Sequence, residues 1–324
     1  MTSLIEKNAN SSPVVQLEAE SLRSTESVTL WKTAMRRLFK RKSALVGMGI
    51  LGFLLFIAVF APLIAPYDPI QVLIGIEPVK VRQPPCIHLF GCPEVLPQHI
   101  MGIDGNVRDQ YSRILFGARL SLMVGIVSVS FAIVIGTILG SIAGYLGGPI
   151  DNVIMRIMDV LLAFPSLLLA IAIVSILGPG LINALIAIAI VSIPAYARVV
   201  RSTVLTVREM EFVEASRSLG GGTFYILFGR ILPNSLTPLI VQGTLGIATA
   251  ILDAAALSFL GLGAQPPMPE WGTMLGSERN QVFTAPHLVF FPGLAIMLTV
   301  LGFNLLGDGM RDALDPRLAM RGAE

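Results

Sequence analysis

Few side chains in this sequence have the type and spacing that chemistry needs. The histidines, His88, His99 and His287, are widely separated. No His-Glu-x-x-His motif sets two of them on one helical face for a metal. His88 lies between Cys86 and Cys92, but three ligands crowded onto a Pro-rich stretch make a poor cage. No metal site is therefore expected. There is no Gly-x-Ser-x-Gly elbow and no Cys-x-x-Cys pair. Gly220-Gly221-Gly222-Thr223 is glycine-rich but lacks the lysine of a phosphate-binding loop, so the chain is not expected to hydrolyse ATP. Ser258 is a lone hydroxyl in an apolar run and reads as packing. Asp253 is the one acid between Ile231 and Pro269. An acid in such a run is costly in a membrane and marks function by default. Three readings stand for it: lining a pathway, contacting an amine of what passes, or pairing with another subunit.

The elements that must position these residues are membrane helices. The 324 residues are 54% hydrophobic and only 14% charged, with a mean hydropathy of +0.76. Soluble domains carry about 25% charged residues, so a soluble globular protein is excluded. Two cysteines cannot staple a chain this long. A net charge of +2 carries no signal for a nucleic acid partner.

Uncharged runs mark the spans. They extend from Ser43 to Tyr67, Leu120 to Ile150 and Val160 to Ala197, the last divided by the turn signal Gly178-Pro179-Gly180. Two more follow, from Ile231 onward and before Asp308. Six spans are expected: 44–65, then about 120–145, 158–177, 181–199, 236–260 and 287–306. Pro165, Pro194 and Pro238 are candidate kinks. Ala132, Gly136, Gly140 and Gly144 recur every four residues and would let another helix approach closely.

Basic residues orient the bundle. Lys32, Arg36, Arg37, Lys40, Arg41 and Lys42 directly precede the first span, and Arg198, Arg201, Arg208, Arg217 and Arg230 flank the loop between spans 4 and 5. Both termini are thus expected in the cytoplasm of a multi-pass inner-membrane protein. Residues 1–27 are polar and expected to be disordered. Residues 28–43 alternate Leu30, Trp31, Ala34, Met35, Leu38 and Phe39 with basic residues, which predicts an amphipathic helix on the bilayer surface. Residues 66–118 form the long extracytoplasmic segment. There Cys86 and Cys92 face oxidising surroundings, where they either close a small disulfide loop or remain two thiols. Residues 307–324 form a cytoplasmic tail.

The cytoplasmic loop at 201–235, within the 119–306 core, is the most informative stretch. Residues 208–219 favour a helix, Gly220 to Gly222 break it, and a second short helix is expected with Thr223 as N-cap and Pro233 as its end. Two short helices joined by a glycine bend make a projecting knob carrying Phe212, Val213 and Leu219. This suits docking better than connection.

The loop resembles the Glu-Ala-Ala loop of ATP-binding-cassette importer permeases. Glu214, Ala215, Gly220, Leu232 and Pro233 stand at that pattern's spacing, with Ser216 in place of an alanine and Arg230 in place of an apolar residue or histidine. The likeness is strongest to the C-type permease of dipeptide and oligopeptide importers. It extends through His99-Ile-Met101-Gly102-Ile-Asp104, Arg108-Asp109, Ser112-Arg113, Gly144-Tyr145, Leu257-Ser258-Phe259-Leu260-Gly261-Leu262-Gly263 and Gly307-Asp308-Gly309. The resemblance implies an all-α fold of six transmembrane helices, of the type I importer kind. It also implies a second homologous permease, two cytoplasmic ATPases that bind ATP and Mg, and an extracytoplasmic peptide-binding protein. In that scheme residues 212–220 with Leu232 and Pro233 couple to the ATPase, and the cargo is di- or oligopeptides. Related permeases carry nickel chelates, glutathione or oligosaccharides. A secondary transporter, needing no ATPase, is the rival outside this class.

Overall fold

The structure, a computed structural model, describes residues 35–314. The expected disordered tail at 1–27, the start of the amphipathic helix at 28–34 and residues 315–324 of the C-terminal tail lie outside them. Residues 35–38 form a helical turn that stops at Phe39 and Lys40. Ten helices of the α type follow. The first is α1 (Lys42–Ile64), followed by α2 (Gln110–Leu146), α3 (Gly148–Leu162), α4 (Ser166–Leu177) and α5 (Leu181–Val207). Then come α6 (Glu211–Ser218), α7 (Thr223–Ile226), α8 (Leu232–Phe259), α9 (Trp271–Glu278) and α10 (His287–Leu314). Among the described residues there is no strand, only isolated bridges between Cys86 and His99 and between Ile103 and Asp109.

Five helices are long and apolar enough to cross a membrane, and six spans result if the bent pair α3–α4 counts as one. The expected third span is broken at Pro165, one of the candidate kinks, where α3 and α4 meet at 92°. Pro165 stands at the break with φ −55° and ψ 130°. Proline removes a backbone donor and drives its predecessor out of the helical region. Pro194 and Pro238 lie inside continuous helices. Ala163, Phe164 and Pro165 are exposed and Pro194 is buried, but Pro238 is exposed inside a continuous helix, so burial alone does not decide which proline breaks its helix.

The second helix begins nine residues before the expected boundary at 119. Asp109 caps it by accepting from the Ser112 N–H at 2.7 Å. Its polar first turns carry Arg113 and Arg119, which is why an uncharged run alone placed the start too late.

α2 and α5 share the most extensive contact in the bundle. The small-residue stripe explains why. A Cβ on Gly136 would lie 2.7 Å from Tyr196 Cβ, and one on Gly140 would collide with the Ala197 carbonyl. One on Gly144 would lie 3.0 Å from the Arg201 carbonyl. Ala132 is fully buried in the same core, with Val200 and Val204. α8 packs on this pair, and α10 packs on α1 and α8. The segments 65–109 and 260–286 gather at one end of the bundle, here called the outer end because the charge distribution assigns it there. The loop 208–222 sits at the other.

Candidate functional site

The loop between α5 and α8 is a knob with a buried root. α6 has Glu211 and Glu214 in its first turn and Arg217 in its last, each matched to the helix dipole. Val213 has no exposed surface and packs in the cluster of Val204, Val207, Ile226, Leu227 and Ile231. Phe212 and Leu219 point outward, Leu219 being 89% exposed. Of the three apolar residues expected on the knob surface, Val213 is therefore the anchor. Glu214 and Ala215 are exposed, and the Ser216 hydroxyl donates to the Phe212 carbonyl at 2.8 Å.

The bend after α6 needs its glycines. Gly220 has φ +81°, a left-handed conformation that side chains resist. The Gly221 N–H returns to the Ser216 carbonyl at 3.0 Å, where a Cβ would lie 2.7 Å from that oxygen. Thr223 is the first helical residue and Gly222 is the cap, so the expected threonine cap is corrected by one position.

Pro233 does not end the second short helix. Helix runs from Thr223 to Phe259 through a π turn at Leu227–Ile231, and Pro233 sits in the first turn of α8. A wider π turn relieves the clash of a proline ring with the preceding carbonyls. Asn234 donates to the Arg230 carbonyl at 2.7 Å within the same turn. Leu232 is half-buried and Pro233 is exposed.

An aromatic patch beside the knob escaped the sequence reading. Phe224 and Phe228 pack with ring centroids 4.5 Å apart and planes tilted by 35°, and the Arg230 guanidinium lies over the Tyr225 ring while donating to its hydroxyl at 2.9 Å. The i,i+4 spacing of Phe224 and Phe228 was its available signal. Arg208 ties the base of the knob to α2, donating to the Gly144 carbonyl at 2.9 Å. Arg201 holds Asp151 of α3 with two bonds of 2.5 and 2.6 Å.

At the outer end, Cys86 and Cys92 form a disulfide with Cα atoms 5.4 Å apart. His88 donates from Nε2 to the Leu96 carbonyl at 2.8 Å inside that loop. His99 is buried. Its Nδ1 lies 2.8 Å from Asp109 Oδ1 and its Nε2 3.1 Å from Glu77 Oε2. Tyr67 stacks on the ring and donates to Glu77 at 2.8 Å. Burial opposes a charge on His99, but hydrogen bonds and attraction from Asp109, then Glu77, outweigh it and raise its pKa above 6.5. Burial and the Glu77 hydrogen bond push the Tyr67 hydroxyl up as well. Asp104 accepts from Arg108 at 2.8 Å and lies 3.4 Å from Arg113. Glu278 accepts from Arg82 at 2.9 Å and from the Gly105 N–H at 3.0 Å. The motif residues at 99–113 are thus joined in one network that clamps the outer segment onto the start of α2. Glu77 and Glu278 were invisible to sequence reasoning because their partners are distant in the chain.

This all-α bundle, with its knob between α5 and α8, has the fold of ATP-binding-cassette importer permeases. Chains in two inward-facing structures of the MetNI methionine ABC transporter align with TM-scores of 0.51 and 0.53 at 22% and 21% identity. These alignments cover 62% and 63% of this chain and 96% of each of those chains. Residues 136–320 match the binding-protein-dependent transport system inner membrane component family, and the chain belongs to that family. Residues 29–85 match the N-terminal TM domain of oligopeptide transport permease C.

The dipeptide transport system permease protein DppC of Alkalihalophilus pseudofirmus is 52% identical over 90% of this chain and 91% of its own length. The di/tripeptide transport system permease protein DppC of Pseudomonas aeruginosa is 50% identical over 86% and 89%. The glutathione transport system permease protein GsiD of Pectobacterium atrosepticum is 47% identical over 90% and 92%.

Proposed function

We propose that this chain is the transmembrane permease subunit of an ATP-driven importer of di- and oligopeptides. It forms a pathway with a second permease in the inner membrane, with both termini in the cytoplasm. Two cytoplasmic ATPases bind ATP and Mg, and an extracytoplasmic peptide-binding protein delivers cargo. The subunit itself performs no hydrolysis.

The observation that carries this reading is the knob: an exposed Phe212, Glu214 and Leu219 on a helix whose Val213 is rooted among α5, α7 and the π turn. A partner that grips α6 therefore pulls on α5 and α8 together. Closure of the ATPases on ATP would move the knob and tilt both helices, opening the pathway outward. The 52% identity to a dipeptide permease favours peptide cargo. The 47% identity to a glutathione permease makes a γ-linked tripeptide the second reading.

The test is uptake into proteoliposomes holding the whole transporter. ATP-dependent accumulation of α-linked dipeptides, in preference to glutathione, is expected. Uptake that persists without ATPase subunits would instead indicate a secondary transporter.

A further inference from the structure

Helix α8 carries a polar stripe that the other described helices cover only in part. Gln242, Gly246, Thr249 and Asp253 follow one another at i, i+4, i+7 and i+11, which places them along one side of the helix. Eleven residues rise about 16 Å, over half of a hydrocarbon core of about 30 Å. Thr249 is exposed, and Gln242, Gly246 and Asp253 are half-buried, while α2, α5 and α10 pack on the other sides of α8.

The stripe has a second wall. Tyr196 of α5 is buried, yet its hydroxyl reaches into the notch at Gly246, where a Cβ would collide with it. The Thr249 hydroxyl donates to the Gly246 carbonyl at 2.9 Å, which leaves its oxygen able to accept. Among the described residues, neither the Asp253 carboxylate nor the Gln242 amide takes part in a hydrogen bond or an ion pair.

An uncompensated carboxylate facing lipid tails is strongly disfavoured, and this face holds an amide, a hydroxyl and an acid in register. The lipid-compatible surface is elsewhere, for example at Met297 and Leu301 of α10. We infer that the Gln242–Asp253 stripe lines the cargo pathway, and that Asp253 takes the ammonium group of a passing peptide while Thr249 and Gln242 bond its backbone. The inference rests on the peptide-import reading and adds to it the cargo group and the residues that meet it.

The cysteines offer a direct test. Cys86 and Cys92 are the only two and are bonded to each other, so Thr249→Cys provides the subunit's one free thiol. In the assembled transporter, a cationic methanethiosulfonate should label it about tenfold faster than an anionic one, relative to a free thiol, because Asp253 lies one turn away. Adding Asp253→Asn should abolish the preference. A thiol that resists both reagents means that lipid or the second permease covers the face, and overturns the proposal. Equal rates unaffected by Asp253→Asn overturn the role of the carboxylate.

In the uptake assay, Asp253→Asn should lower maximal dipeptide uptake about tenfold, with Asp253→Glu restoring much of it and the four-subunit complex still recovered. Loss of the second permease from the purified Asp253→Asn complex would assign Asp253 to structural pairing instead. A wild-type transporter that moves no dipeptide would overturn the import reading, and the ammonium assignment with it, whatever the labelling shows.

Discussion

The His99 ring lies 2.8 Å from the carboxylate of Asp109, and the same carboxylate caps the first turn of α2 through the Ser112 N–H. One acid thus holds the outer segment and starts a membrane helix. Since the folded state raises the His99 pKa, it binds the proton more tightly than the unfolded chain does. The resulting stability is fully present below the ordinary value of about 6.5 and is lost as pH rises through the folded value. Protection factors at residues 99–112, corrected for the intrinsic pH dependence of amide exchange, are expected to fall between mildly acidic and alkaline pH. His99→Gln should flatten that dependence, and an unchanged profile in that variant would remove His99 as its source.

Gly220→Pro forces φ to about −65° where the chain needs a left-handed turn, at a local cost on the order of 1–3 kcal/mol. The subunit should still insert and purify with its partners. Cargo-stimulated ATP hydrolysis should fall to the unstimulated level, because the knob can no longer present Leu219 and Glu214 together. Glu214→Arg should do the same without any backbone change. Normal stimulation in either variant would count heavily against the coupling assignment.

Adjacent apolar residues on the knob should fail in different ways. Val213→Asp buries an unpaired carboxylate in the core, which costs several kcal/mol, so yield and thermal stability in detergent should collapse. Leu219→Asp changes an exposed tip, so the melting temperature should hold while stimulated ATP hydrolysis drops. A stable Val213→Asp protein would show that the root is not where the packing places it.

Gly140→Leu drives a side chain into the Ala197 carbonyl. Overpacking of this kind typically costs about 1–3 kcal/mol, and here the clash is with backbone. A lowered melting temperature is expected, with Gly140→Ala intermediate. Equal melting of all three proteins would contradict the close approach of α2 and α5.

Cys86→Ser opens a short loop, and loop-closure entropy for that span predicts a loss of about 2 kcal/mol. Alkylation followed by mass measurement should add label to the wild type only after reduction. Label taken up equally without reductant would establish free thiols.

The long helices and the knob were legible because each follows from a local rule. Lipid tolerates few charges, so uncharged runs from Ser43 and Leu120 announce helices, and consecutive glycines at 220–222 announce a break. What stayed hidden depends on neighbours. Pro165, Pro194 and Pro238 are the same residue in similar apolar surroundings, yet only Pro165 breaks its helix, and no local pattern tells them apart. Phe212 and Val213 are adjacent, and nothing local says which turns inward. The partner of His99 at Glu77 lies across an irregular segment whose path no pattern encodes.

The glycine contacts between α2 and α5 have a mechanical consequence. Loosely packed helices slide and bend, so a push at one end is absorbed along the way. Here backbone rests on backbone at Gly136, Gly140 and Gly144, and the 37 residues of α2 reach about 55 Å. One end of that rod is pinned at Asp109 and the other at the Gly144 carbonyl beside Arg208. The pair acts as a stiff strut, and displacement at the knob arrives at the opposite end of the bundle with little lost to flexing.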